Sequence, residues 1–554
     1  MKRSIHALVL LAGMAGISST ASAAPVDLTT VCDINIYLSG ASAQDNSLNS
    51  QVTGLMLSGA GNIPGTNIPD GTIFPGLDDS SWRIIVGRID NAAITAGTGG
   101  VSTTNPVACV HKRSEGGSAW GVQPVSQGNG GGVSGRTLGT PVAMMTGLDC
   151  DDGTAGGTLG CDQTDVGETV LIVPDGGLSD VEPVQFNGLN TPSTPQVDPS
   201  DNLGGGISDP VLAGMSPTDI NNLQVFQQSM FAFGIGISNN FYKALQVCQG
   251  LIPTFATADD FNSVATMPTL SKAEVVGMQS GNLVSMRNIP CTNFDTDFAK
   301  PAALNLYDVA AAAGVAPTFT GPELCQRVDG SGTQAQFRIK VLANGCLASG
   351  ALDFADGGGF SPFTVVQNSG SGDMDACLNG TAGVAQSERY KIGFQSTNRA
   401  SNIAAGSVAW RFVKVDNQVP SLANVANGAW FDAVQSTLQL RAPASREYFH
   451  AVEDTGNAQD VENILQTLIA NFAVPSAVAA ANASETYTAG QVGEWFGGSL
   501  VVHGAGCDVN SGATGFGATT NPCAFVTHEV GGQLNNCRTP VYTGPAILDY
   551  DGAL

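Results

Sequence analysis

The chain has 554 residues, a formal net charge of −25 and a pI near 4.3, with charged side chains at 12% and hydrophobic ones at 42%. That much apolar material excludes a disordered polyelectrolyte, and the acidic balance excludes nucleic-acid binding by bulk charge. With 70 glycines and 27 prolines, the composition is that of a loop-rich protein working outside the cytoplasm.

The N-terminus reads as a cleaved signal peptide over 1–23. Met1-Lys2-Arg3 is basic, Ile5 to Ile17 is apolar, and Ala21-Ser22-Ala23 supplies small residues before the cut. A membrane span needs about 20 apolar residues, so no membrane anchor is expected and the product is periplasmic or secreted. The 12 cysteines are then expected in disulfides. Cys150 with Cys161 and Cys507 with Cys523 are local pairs; the remaining cysteines allow several pairings.

Short β-type runs follow at Ile34–Leu38, Trp82–Val86, Thr169–Val173, Phe363–Val366 and Ser407–Val413. Between them the spacing predicts a helix from Pro217 to Met230, with Ile220, Leu223 and Phe226 on one face. Another helical pattern lies within Glu447 to Phe472, carried by Val461, Ile464, Leu465, Leu468 and Ile469. Strands alternating with helices predict an α/β fold. The stretches 125–165 and 174–206 are rich in Gly, Ser, Thr, Pro and Asp and read as surface loops or insertions, and the end of the chain reads as a disulfide-tied irregular region.

Four small-residue loops join apolar runs to candidate helix starts. They are Ser39-Gly40-Ala41-Ser42-Ala43-Gln44, Ser114-Glu115-Gly116-Gly117-Ser118, Gly206-Ile207-Ser208-Asp209-Pro210, and Arg327-Val328-Asp329-Gly330-Ser331-Gly332-Thr333. Glycines let successive N–H groups turn toward one point, and a helix start adds unpaired donors there. Serine and threonine hydroxyls add neutral donors, and Arg327 adds a guanidinium able to fork onto an oxyanion or a carboxylate. Such a site works inside an acidic protein because distant charge is screened beyond about 8–10 Å. Asp45, just after the first loop, opposes an anion unless it points away.

The fourth loop and the residues after it resemble the signature of the periplasmic phosphate-binding proteins of ABC transporters, which carry Arg-x-Asp-Gly-Ser-Gly-Thr before a helix. The other three loops are similar to that family's Gly-Ala-Ser/Thr, Gly-Ser-rich and Ser-Asp loops, and their order agrees. Leu270 to Gly281 and Tyr390-Lys391-Ile392-Gly393-Phe394 are similar to a helix and a strand of the family. The resemblance spans about 32–440. It implies a two-lobed type II binding-protein fold with a cleft between lobes, enlarged by insertions at about 125–206 and a Cys-bearing tail. Lobe 1 would comprise 24–235 and 415–554, and lobe 2 would comprise 236–414. By position, Ser42, Ser118, Ser331 and Thr333 would donate hydroxyls, and Ala43 and Gly332 backbone N–H groups. Arg327 would supply the charged donor, Asp209 would accept the proton of a hydrogen phosphate, and Asp329 would cap or orient Arg327 rather than touch the ligand. The resemblance further implies a monomer that needs no cofactor or metal and delivers phosphate to an ABC-transporter permease.

Two other classes compete. A secreted hydrolase would need a nucleophile beside a histidine, and only His111, His450, His503 and His528 follow the signal peptide. A Ca-dependent adhesive protein would draw on Asp149-Cys150-Asp151-Asp152-Gly153, although Gly160 stands where an EF-hand requires glutamate.

Overall fold

Runs of β-branched and aromatic residues, several of them followed by a turn of small residues, form most of the sheet. In chain order its strands are β1 (Ile34–Gly40), β2 (Thr72–Pro75), β3 (Trp82–Arg88), β4 (Val107–Arg113), β5 (Gly176–Ser179), β6 (Leu223–Ser238), β7 (Glu323–Arg327), β8 (Thr364–Asn368), β9 (Lys391–Ser396), β10 (Trp410–Phe412) and β11 (Ala433–Arg441). Helices α1 (Asp45–Gly54), α2 (Ser118–Ser126), α3 (Asn239–Cys248), α4 (Gly332–Lys340), α5 (Ser371–Asn379) and α6 (Ala458–Phe472) pack against them. The computed structural model describes residues 26–472, apart from gaps of which the longer fall at 127–138, 192–211, 254–260, 292–304, 345–351 and 443–456, together with strands at 539–544 and 547–551. The signal-peptide segment, Asp209 and the expected Cys507–Cys523 pair lie outside the described residues.

The strand order is β8-β7-β9-β6-β11-β5-β1-β4-β3-β2, with β10 also paired to β6. Parallel β4, β1 and β5 are followed by antiparallel β11 and then β6. Parallel β8, β7 and β9 are followed by antiparallel β6 and then β10. The same order thus occurs twice, each time with one strand borrowed from the other half. This is an α/β molecule of two lobes. One core gathers Phe241, Leu324, Phe337, Ile392 and Phe394; another gathers Ile36, Leu38, Leu48, Val110 and Leu468.

The link between lobes is β6. Its first part, Leu223 to Ala232, pairs with β11, and its second part, Phe233 to Ile237, pairs with β9. This strand corrects the helix expected from Pro217 to Met230. Leu223 packs with Val225 in one cluster and Phe226 in another, so apolar residues alternate between two covered faces. A spacing of three, which a helix places on one side, falls on opposite sides of a strand.

The stretch 174–206 also departs from the surface-loop reading, because Gly176–Ser179 is a fully buried strand in the middle of lobe 1. Its glycines hide its strand character. Helix α2 lies directly on β5, and a Cβ at Gly177 would collide with the backbone of Gly121. Glycine in a strand here serves close backbone approach. The helical pattern near the C-terminal end forms α6, with Val461, Ile464, Leu465 and Leu468 buried.

Disulfides join Cys32–Cys109, Cys150–Cys161, Cys248–Cys291 and Cys325–Cys377. Cys150–Cys161 is the local pair read from the spacing, and its two short strands pair face to face. Among the described residues no helix is long and apolar enough to cross a membrane.

In lobe 2 the Lys391 ammonium pairs with Glu323 in full burial. The carboxylate also accepts from Thr364 Oγ1 at 3.0 Å and from the Val384 N–H at 3.2 Å. Removing one member of such a pair strands the other charge. Glu323→Met should therefore cost about 3–5 kcal/mol in chemical denaturation, and adding Lys391→Met should recover most of it. Equal losses for the single and double variants would refute this account.

Candidate functional site

In an open α/β sheet, loops at the carboxyl ends of parallel strands gather at one edge, and ligands bind there. Here β1, β4 and β5 of one lobe and β7, β8 and β9 of the other send those ends to a common cleft. The lobes touch across it. The Ala119 N–H donates to Gly330 O at 2.8 Å, and the Ser42 and Ser371 hydroxyl oxygens lie 3.1 Å apart.

Of the residues named from sequence, Ala43, Ser118, Arg327, Ser331, Gly332 and Thr333 are buried at this edge, and Ser42 is half-buried. Ser331 caps α4, its Oγ accepting from the Gln334 N–H. Gly332 is the first helical residue, so its N–H has no partner within the helix. It also has no room for a side chain: a Cβ would run into Ser118 Oγ and come within 2.8 Å of Asp180 Cβ. Glycine is what lets the starts of α2 and α4 meet. Thr333 lies in the first turn of α4. Ser42 and Ala43 sit to one side of that meeting point, where Ser42 faces Ser371 and the Ala43 carbonyl accepts from Asn398 Nδ2 at 3.4 Å.

Arg327 ends β7. Its Nε donates to Asn368 O at 3.2 Å and its Nη2 to Ser369 O at 2.7 Å, both at the end of the neighbouring strand. Nη1 is buried and has no hydrogen-bond partner. Burial pulls the guanidinium down to about 10, and Asp180 and Asp373 act against that shift. The role expected for Asp329 is not the one found: its carboxylate faces Arg338 Nη2 at 3.4 Å and Gln334 Nε2 at 3.5 Å. Backbone carbonyls, rather than a carboxylate, aim Arg327.

A further buried acid at this edge is Asp180, which no motif in the sequence singles out. It follows β5, its N–H donates to Ser118 Oγ at 3.0 Å, and its Oδ1 is buried without a partner. Burial, with a contribution from Asp45, pushes its carboxyl up to about 6, while Arg327, Gln44 and Lys112 favour the ionised form. The signal was present as Ser179-Asp180, the same dipeptide as Ser208-Asp209, but it stood in a Gly-rich stretch that did not read as a strand.

Asp45 is compensated rather than turned away. Arg83 Nη2 stands 2.8 Å from Oδ2, Lys112 Nζ is 3.6 Å from Oδ1, and Ser114 Oγ donates to Oδ1 at 2.6 Å. Lys112 is fully buried and also donates to the carbonyls of Gly40 and Arg113 and to Ser114 Oγ, so it fixes the ends of β1 and β4 together. Burial lowers it to about 8. Beside these groups lies a cavity of about 240 Å3 with walls from both lobes.

His111, weighed for a hydrolase, is a core residue: Nδ1 meets Met145 O at 2.8 Å, Nε2 meets Asn35 Oδ1 at 3.0 Å, and the ring stacks on Tyr37. Among the described residues no acidic, histidine or cysteine cluster is arranged to hold a metal, Asp149 and Asp151 included.

No protein-family model matches the sequence, and no curated protein matches it. Solved structures do match, at a distance. An ABC-type phosphate transport receptor from Vibrio cholerae is 12% identical over 53% of this chain and 79% of its own, with a TM-score of 0.23. A protein described as a phosphate ABC transporter substrate-binding protein, with bound phosphate, from Clostridium perfringens is 12% identical over 46% of this chain and 74% of its own, with a TM-score of 0.24. PstS from Borrelia burgdorferi is 8% identical over 53% of this chain and 78% of its own, with a TM-score of 0.23.

The buried acid yields a signed expectation. Asp180 titrates near 3.8 when unfolded and near 6 when folded. Between those values the folded chain holds the extra proton, so its stability falls as pH rises through that window. Asp180→Asn removes the charge. It should raise the melting temperature of the ligand-free protein at pH 7.5, by a free energy on the order of 3 kcal/mol, and the gain should vanish near pH 4. A gain independent of pH would refute the assignment.

Proposed function

We propose that this chain is an exported solute-binding protein that captures an oxyanion non-covalently between its lobes, with phosphate as the anion. One observation carries the reading. Arg327 Nη1 and Asp180 Oδ1 are buried beside the meeting helix starts of α2 and α4, and neither has a hydrogen-bond partner. Leaving such groups unpaired is costly. A singly protonated oxyanion satisfies both: an oxygen accepts from Arg327, and the proton is given to Asp180. The Gly332 N–H and the Ser118, Ser331 and Thr333 hydroxyls supply the remaining donors. Asp180 takes the part that the family resemblance assigned to Asp209.

Above pH 6 Asp180 is ionised, and fully ionised sulfate would meet it acceptor against acceptor. Rejection by an unmet buried polar contact is strong. Only contact between lobes brings Ser118 and Gly332 to the same oxygens, so the ligand favours the closed form by differential binding. An ABC-transporter permease is the acceptor this reading implies, and the capture involves no covalent chemistry.

In thermal melting at pH 7.5, millimolar phosphate should stabilise the protein well beyond equimolar sulfate, through preferential binding to the folded state. Arg327→Ala should abolish the shift, whereas Arg287→Ala, at an exposed pair with Asp308, should leave it intact. An unchanged melting temperature in phosphate, or equal effects of the two variants, would reject the reading. Lowering the pH below 6 protonates Asp180, and sulfate should then compete better.

A further inference from the structure

We infer that Arg338 and Asn190 form a latch that holds the two lobes closed without touching the ligand. Arg338 lies on α4 of lobe 2, and Asn190 lies in lobe 1, downstream of β5 and Asp180. Arg338 Nη1 donates to Asn190 Oδ1 across the lobes, and both residues are more than nine-tenths buried. Helix α4 is thus held to lobe 1 at two levels. Its first turn packs on Ser118 through Gly332, and Arg338 crosses over about 9 Å further along the axis. Neither latch residue is among the groups assigned to the anion, so both are positioning residues.

Each partner is set by its own lobe. Within lobe 2 the guanidinium is already neutralised. Its Nε donates to Asp353 Oδ1 at 2.9 Å and its Nη2 to Asp329 Oδ1 at 3.4 Å, and the group lies over the Phe354 ring. Within lobe 1 Asn190 Nδ2 donates to Gln185 O at 2.8 Å, which leaves Oδ1 for Arg338.

Parting the lobes therefore strands no charge. Arg338 keeps both carboxylates and exchanges one acceptor for water. A hydrogen bond to a charged group shifts an equilibrium by roughly tenfold to a hundredfold, enough to bias closure and small enough to be reversed. A charge pair divided between the lobes would instead resist opening, because a lone buried charge is costly. The latch also has a neighbour. Asp329, which pairs with Arg338, precedes Gly330, whose carbonyl accepts from the Ala119 N–H of lobe 1 at 2.8 Å. Asp329 thereby joins the two contacts between lobes.

Hydrogen exchange on the full chain without added ligand, resolved at Ala119, reads the latch. Ala119 lies in the first turn of α2, so its N–H has no acceptor within the helix, and its bond to Gly330 protects it while the lobes touch. Asn190→Ala should speed exchange at Ala119 at least about fivefold, while amides of β1 and β7 stay within about twofold. Arg338→Lys keeps the charge for Asp329 and Asp353 but loses the fork, and it should act alike. The double variant should stay within about twofold of either single one, because both remove one contact. Should one variant fail to fold, the other decides. Unchanged exchange at Ala119, or an equal acceleration in β1 and β7, overturns the inference and leaves oxyanion capture standing. Phosphate takes no part in this measurement, so a chain that phosphate does not stabilise loses the oxyanion reading and keeps the latch.

Discussion

The site depends on a guanidinium held by carbonyl oxygens. Arg327 leaves β7 in full burial and is steered by the last carbonyls at the end of β8. Parallel pairing of β7 with β8, in which Arg327 stands opposite Asn368, creates that arrangement. A charge fixed by backbone dipoles keeps its orientation, and both its remaining donor and the Asp180 carboxylate oxygen that acts on it electrostatically lack a hydrogen-bond partner. Cys325–Cys377 ties β7 to α5 beside this position.

The opposite lobe is organised by a second buried cation. Lys112 gathers the carbonyls of Gly40 and Arg113, the Ser114 hydroxyl and the Asp45 carboxylate. Two loops that the sequence shows only as separate small-residue turns become one wall because a single ammonium holds both strand ends. The Asp45 charge, which alone would repel an anion, is consumed in that network and by Arg83.

Part of the fold is legible before any coordinates, because β1, β4, β7 and β8 each run into a turn rich in Gly and Ser. The α4 start is the clearest case: Ser331 as cap and glycine at the first helical position state both the helix and its exposed donors. Two features are hidden for physical reasons. β5 is spelled Gly-Gly-Leu-Ser because α2 presses onto it, so its identity lies in a tertiary contact. β6 packs apolar residues on both of its faces, Leu223 and Val225 on one and Phe226 on the other, so the spacing of Leu223 and Phe226 imitates a helical period. The first disguise also concealed Asp180, since a residue is read as functional largely from the element it terminates. Asp329 misleads in the other direction: adjacency to Arg327 along the chain suggests a pairing, yet its carboxylate meets Arg338 and Gln334.

The long strand shared by both halves has a mechanical consequence. Its hydrogen-bond ladder runs from β11 to β9 with one irregularity, a shift of register against β11 between Gln227 and Met230. Sliding one half past the other would break that ladder, whereas bending the strand would preserve it. The molecule is thereby built as a clamp on a leaf spring, whose jaws part by flexing the strap that joins them.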